Sequence, residues 1–133
     1  MLKQKHHNPL GLHQNPAFTQ AVEVPADASL VFIGGQNGID GSGAVVGDSP
    51  YEQTTKALEN VKTAVEAAGG SAADIAKWTI LVTDREHLNS GFAAFAEFWD
   101  QAIPPPAITV QIVSGLADAS FLVEIEAIAA IQP

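Results

Sequence analysis

Two carboxylates, Glu124 and Glu126, stand two positions apart in the run Phe-Leu-Val-Glu-Ile-Glu-Ala-Ile-Ala-Ala-Ile at 121–131. A run this apolar reads as a strand lying deep in a sheet, and the period of two puts both acids on one face of it. An isolated buried carboxylate is very costly, so each must be solvated, paired or put to use. Partners are scarce, because 15 Asp+Glu stand against 6 Lys+Arg and Arg85 is the single arginine. A carboxyl group in an apolar cleft acquires a raised pKa and serves as an acid or base near neutral pH. For Glu124 function and structure weigh equally; Glu126 reads as structural.

Other chemistry is thin. With no cysteine in the chain, thiol nucleophiles, disulfides and thiolate-held zinc are excluded. His6, His7 and His13 fall in a lead-in rich in Asn, Gln and Pro, and His87 has no His or Glu four residues on, so metal-ligand spacing is absent. No nucleophile elbow, phosphate loop or other cofactor motif occurs. Gly34, Gly35, Gly38, Gly41 and Gly43 follow a strand but lead into a turn at Asp40-Gly41. A phosphate cradle would need the helix immediately.

The elements that must hold Glu124 follow from the patterning. Residues 1–16 read as an irregular lead-in, Ala17–Val24 as a strand broken by Pro25, and Leu30–Ile33 as a short apolar strand, with Val45 and Val46 pairing back. Ser49-Pro50-x-Glu52 forms a capping box ahead of Ala57, Leu58, Val61, Ala64, Val65 and Ala68 at helical spacing, and Gly69-Gly70 ends that helix. Trp78–Val82 is a buried strand. Thr83-x-x-Glu86 opens a second helix with Leu88, Phe92, Phe95, Trp99 and Ala102 on one side, stopped by Pro104-Pro105-Pro106. Gly91 inside it costs about 1 kcal/mol relative to Ala, so its aromatic packing must hold it. Strands at Ile108–Val113 and Phe121–Ile131 complete the order β-β-α-β-α-β-β. The fold class is α+β, one mixed sheet with two helices on one face, in a single domain over 1–133. Leu81, Leu122 and Ile128 put apolar side chains on the sheet's other face as well. In a chain this small a second copy of itself is the natural cover, so the strands alone predict a homo-oligomer.

The formal charge is −9 over 133 residues. That acid excess argues against nucleic acid and anionic membranes as partners, since their phosphates call for clustered Lys and Arg. The N-terminus lacks the apolar run of a signal peptide, and no stretch approaches the length of a membrane span, which makes a cytoplasmic protein the expectation.

Taken together, Ile33-Gly34-Gly35-Gln36, the helix around Ala57-Leu58-Glu59-Asn60-Val61, Pro-Pro-Ala-Ile-Thr-Val at 105–110 and Val-Glu-Ile-Glu-Ala-Ile-Ala at 123–129 resemble the Rid (YjgF) family of reactive-intermediate deaminases, also known as endoribonuclease L-PSP-like proteins. The resemblance runs in order from about Pro16 to Ile131. It implies a chorismate-mutase-like fold, a homotrimer and a small-molecule cleft at each subunit interface. It also implies hydrolysis of enamines and imines to a carbonyl compound and ammonia without a cofactor. In the best-studied branch an Arg in a P-x-R-S motif grips the substrate carboxylate, and a Glu on the last strand handles water or proton. Here the Glu is Glu124, while the Arg position falls on Ala107 or Ile108. The family's Ser-Gly-Gln reads Gly34-Gly35-Gln36, a frequent Tyr is Phe18, a helix Asn falls near Phe92, and the motif's Cys is Thr109.

These replacements share one direction, fewer donors and more apolar surface. The expectation is a deaminase of altered specificity, with Glu124 catalytic and with Phe18, Gly34, Gly35, Phe92, Ala107, Ile108 and Thr109 binding substrate. Backbone N–H groups near Ile108, Thr109 and Gly35 would stabilise developing charge. The alternative is a trimer of the same fold that binds a small molecule or regulates a partner without turnover. Ribonuclease and chorismate mutase activities rank below both, because each needs cationic side chains.

Overall fold

The structure is a computed structural model describing residues 4–133; the first three residues of the expected lead-in lie outside the described residues. Its elements are β1 (Lys5–His7), β2 (Ala21–Glu23), β3 (Ser29–Gln36), α1 (Pro50–Ala67), β4 (Ile75–Val82), α2 (Leu88–Phe98), β5 (Ala107–Ile112) and β6 (Val123–Ile131). The expected order of helices and of the last four strands holds, but the first strand, expected over Ala17–Val24, is only Ala21–Glu23 and lies outside the main sheet. The lead-in is not irregular throughout, for Lys5–His7 pairs antiparallel with Ala21–Glu23 in a two-stranded ribbon separate from the main sheet. Lys5 and His7 both reach Glu23, the latter at 3.0 Å, a cross-strand charge pattern hidden behind the Asn- and Pro-rich stretch between the two strands.

α1 starts at the expected place. Ser49 Oγ accepts from the Glu52 N–H at 3.1 Å, and Pro50 occupies the first turn. The Glu52 carboxylate takes the Ser49 hydroxyl at 2.9 Å rather than the cap's backbone N–H, so only half of the predicted capping box forms. At the other end Gly69 adopts φ +90°, and the Gly70 N–H returns to Val65 O, a glycine-dependent stop. The second predicted box fails. Asp84, not Thr83, caps a 3-10 turn at Arg85–His87, because its Oδ1 accepts from the Glu86 N–H at 2.8 Å, and α2 follows. α2 also ends earlier than the apolar spacing suggests, at Phe98, leaving Ala102 in an exposed turn.

The main sheet has the order β3-β6-β4-β5. β6 is antiparallel to both neighbours, and β4 and β5 run parallel, connected through α2. Val123, Ile125, Ala127 and Ala129 of β6 turn toward the helices with Ile33, Trp78 and Val82. They meet Ala57, Leu58, Val61 and Val65 of α1. Fully buried Trp78 receives Phe95 and Phe98 edge-on at 5.7 and 6.2 Å, and Phe95 stacks on Trp99 at 6.1 Å. That aromatic block is what holds α2 across its Gly91. The opposite sheet face carries no helix. There Leu30 is 52% and Phe32 72% exposed, on the same face as Ile128, Leu81 and Thr79.

Candidate functional site

Glu124 projects from β6 onto the open sheet face, opposite Leu81 of β4. Beside it β3 is irregular: the register with β6 shifts between Ile33 and Gln36, across Gly34 and Gly35. A Cβ on Gly35 would lie 2.2 Å from Glu124 Oε2 and 2.7 Å from its Cδ. Only glycine lets the carboxyl group lie against the backbone here. From the other side Asn37 Nδ2 donates to Glu124 Oε1 at 3.2 Å and to Val123 O at 3.0 Å. Asn37 is held in turn by α1, where Asn60 Nδ2 donates to Asn37 O at 3.0 Å and Ile39 O at 2.9 Å. Helix, loop and strand thus converge on one half-buried carboxylate.

The apolar candidates gather elsewhere. Phe18, Phe92 and Ile108 line an open cavity of about 730 Å³ on the helix side, between α2, β5 and the segment before β2. Ile80, Phe95 and Val110 belong to the same wall. The segment bearing Phe18 is fixed at its neighbour, as the Thr19 N–H donates to Pro106 O at 3.1 Å and the Thr19 hydroxyl to Pro105 O at 2.5 Å. Strand alternation separates Ile108 from its neighbours. Ala107 and Thr109 turn to the open face, where Lys77 Nζ donates to Thr109 Oγ1. Of the two positions considered for the missing Arg, Ile108 is the one facing the cavity. The candidate residues therefore form two groups on opposite faces of the sheet within one subunit. Glu124, Gly34 and Gly35 make one, Phe18, Phe92 and Ile108 the other, and Ala107 and Thr109 stand on the Glu124 face. The resemblance places the cleft at a subunit interface, and within one chain the two groups do not meet.

Arg85 lies on the exposed 3-10 turn, away from the cavity lining. Glu126 is exposed opposite Thr79, in keeping with its structural reading. The residues that sequence reasoning missed are the amides: Asn37 and Asn60 around Glu124, and Asn15 and Gln101 on the cavity wall. Asn60 sits in a helical motif singled out for its pattern, yet its neighbours in space are 21 and 23 residues away in sequence.

Residues 12–131 match the family model described as Endoribonuclease L-PSP. A RutC family protein of Pyrococcus horikoshii is 33% identical over 113 residues, covering 84% of this chain and 85% of its own. The 2-iminobutanoate/2-iminopropanoate deaminase of Salmonella typhimurium is 32% identical over 114 residues, with 84% and 85% covered. Among solved structures, a protein of unknown function from Yersinia pestis, YyfB of the conserved Rid family, superposes with a TM-score of 0.88 at 27% identity over 98% of this chain and 100% of that one. With a family model spanning nearly the whole chain and relatives at this identity, the chain belongs to the Rid (YjgF), endoribonuclease L-PSP-like, family.

Proposed function

We propose that the protein hydrolyses reactive imines or enamines to a carbonyl compound and ammonia, with a specificity altered from that of carboxylate-gripping relatives. The observation that carries this is Glu124, a half-buried carboxylate oriented by Asn37 and lying against a glycine that admits it. Its chemistry is that of a general base followed by a general acid. The carboxylate takes a proton from water as the water oxygen bonds to the imine carbon, and returns that proton to the imine nitrogen. The resulting carbinolamine passes its O–H proton through the same carboxylate to the amino nitrogen as the C–N bond breaks, so imine plus water leaves as carbonyl plus ammonia. The Salmonella relative bears the name of such an enzyme.

One subunit presents the carboxylate and the apolar cavity on opposite sheet faces, so a site using both draws them from two copies. A homotrimer supplies such pairs and covers the open face bearing Phe32. A non-catalytic binding trimer is the second reading, favoured by a cavity wall without a charged side chain. Ribonuclease action has little support at a net charge of −9.

The test is release of ammonia and of the carbonyl product, a keto acid from 2-aminoacrylate and a larger aliphatic imino acid and an aldehyde or ketone from a neutral imine, each substrate generated in situ. Acceleration over the spontaneous rate is expected for at least one substrate, with Glu124→Ala lowering it about 10²–10⁴-fold. No acceleration of any of them would leave the binding reading in its place.

A further inference from the structure

The cavity beside α2 has a polar inventory short enough to read in full. Its body is Phe18, Phe92, Phe95, Ile108 and Val110; its hydrogen-bonding side chains are Asn15, Gln101 and Trp99, whose indole N–H is already spent on Ile103 O at 3.0 Å. Asn15 Oδ1 is occupied by the Ala17 N–H at 2.9 Å, which leaves the Asn15 amide N–H₂ to donate. Gln101 is the converse. Its Nε2 donates to Ala96 O at 3.0 Å and Trp99 O at 3.3 Å, which leaves its carbonyl oxygen to accept. No Lys, Arg or His lines the cavity among the described residues.

From this we infer that the cavity takes a neutral ligand with an aromatic or branched aliphatic body and a head that both donates and accepts a hydrogen bond. The inference rests on the deaminase reading for its reactive group, since a neutral imine accepts at nitrogen and donates its own N–H. A carboxylate is an acceptor only. It would meet the Gln101 carbonyl as a second acceptor, with no cation to offset its desolvation. A volume of about 730 Å³ lies within the range of small-molecule sites, roughly 300–1,000 Å³, and is generous for a three- or four-carbon imino acid. Phe92, 52% exposed on α2, sets the rim and so the preferred ligand width.

The assay is displacement of the neutral fluorophore N-phenyl-1-naphthylamine from the purified protein, with phenylacetamide and phenylacetate as matched competitors. Phenylacetamide is expected to displace it at a concentration about tenfold or more below phenylacetate, a gap of about 1.4 kcal/mol. Ile108→Arg should reverse the order, and Phe92→Ala should weaken both competitors while the circular dichroism stays native. Equal or better displacement by phenylacetate in the native protein, or failure of the fluorophore to bind, overturns the inference. The two readings fail separately. Amide preference with no turnover of any imine removes the deaminase and keeps the neutral-ligand cavity. Turnover of 2-aminoacrylate with carboxylate preference does the opposite.

Discussion

Glu124 owes its position to what surrounds it rather than to its own strand. Gly35 withholds a Cβ that would stand 2.2 Å from its carboxylate oxygen, and Asn37 supplies the donor that aims the other oxygen. Gly35→Ala therefore separates chemistry from folding. The clashing atom is the end of a flexible side chain, so the carboxylate swings off Asn37 while the fold persists. Urea denaturation should move by less than about 1 kcal/mol. Imine hydrolysis should fall by at least about tenfold, the scale of a displaced general base. An unchanged rate would separate Glu124 from the reaction. The carboxylate itself was legible in the sequence, as two acids in an apolar strand with few bases to pair them. Asn37 and Asn60 were not, because an amide in a loop and another on a helix carry no local pattern that reveals a shared partner.

At the level of elements, the link between β5 and β6 depends on one buried side chain of α1. Gln53 is 1% exposed; its Nε2 donates to Ser120 O at 3.0 Å and Gly47 O at 3.3 Å, and its Oε1 accepts from the Leu122 N–H at 2.9 Å. Three loop backbone groups are thus satisfied from the helix, two of them just before Glu124. Gln53→Leu keeps the volume and orphans those groups, so a loss of about 2–3 kcal/mol is expected in equilibrium unfolding. A shift under about 0.5 kcal/mol would mean that water reaches the link. Helices and core strands could be read from spacing because burial imposes it on them. What misled was capping and charge pairing: Thr83 stood where Asp84 does the work, and the Lys5 and His7 pairing with Glu23 made a ribbon where composition suggested none. Both are settled by single side chains, not by periodicity.

Across the whole molecule, the sheet has one face packed and one bare, a division visible in the sequence as Leu81 and Ile128 alternating with the core residues. Phe32, 72% exposed at the middle of β3, is the most telling side chain on the bare face. Phe32→Glu should cost the isolated subunit little, since the ring touches little within it. If the proposed trimer covers this face, sedimentation of the variant should fall from three copies of 13.9 kDa toward one. A variant that still sediments as the native species would place the interface elsewhere. That Glu124 and Ile108 stand on opposite faces is not legible in the sequence, because their residue types fix positions along two different strands and not the relative register of those strands across the sheet. Ile108 faces the helices with Trp78 and Ile80, and Glu124 turns away beside Leu81.

The strand order β3-β6-β4-β5 also has a history in time. The strand that zips the sheet together, β6, is the last of the described strands, and its partner β3 lies roughly a hundred positions earlier, with Phe32 opposite Ile128. While the chain is being synthesised, β3 and β4 have nothing between them, and the apolar faces of α1 and α2 have only part of a floor. Such distant pairing makes for slow closure and a long exposure of unpaired edges. A nascent chain stalled before Val123 would lack the nine-residue strand that joins β3 to β4, and would therefore be a client for chaperones.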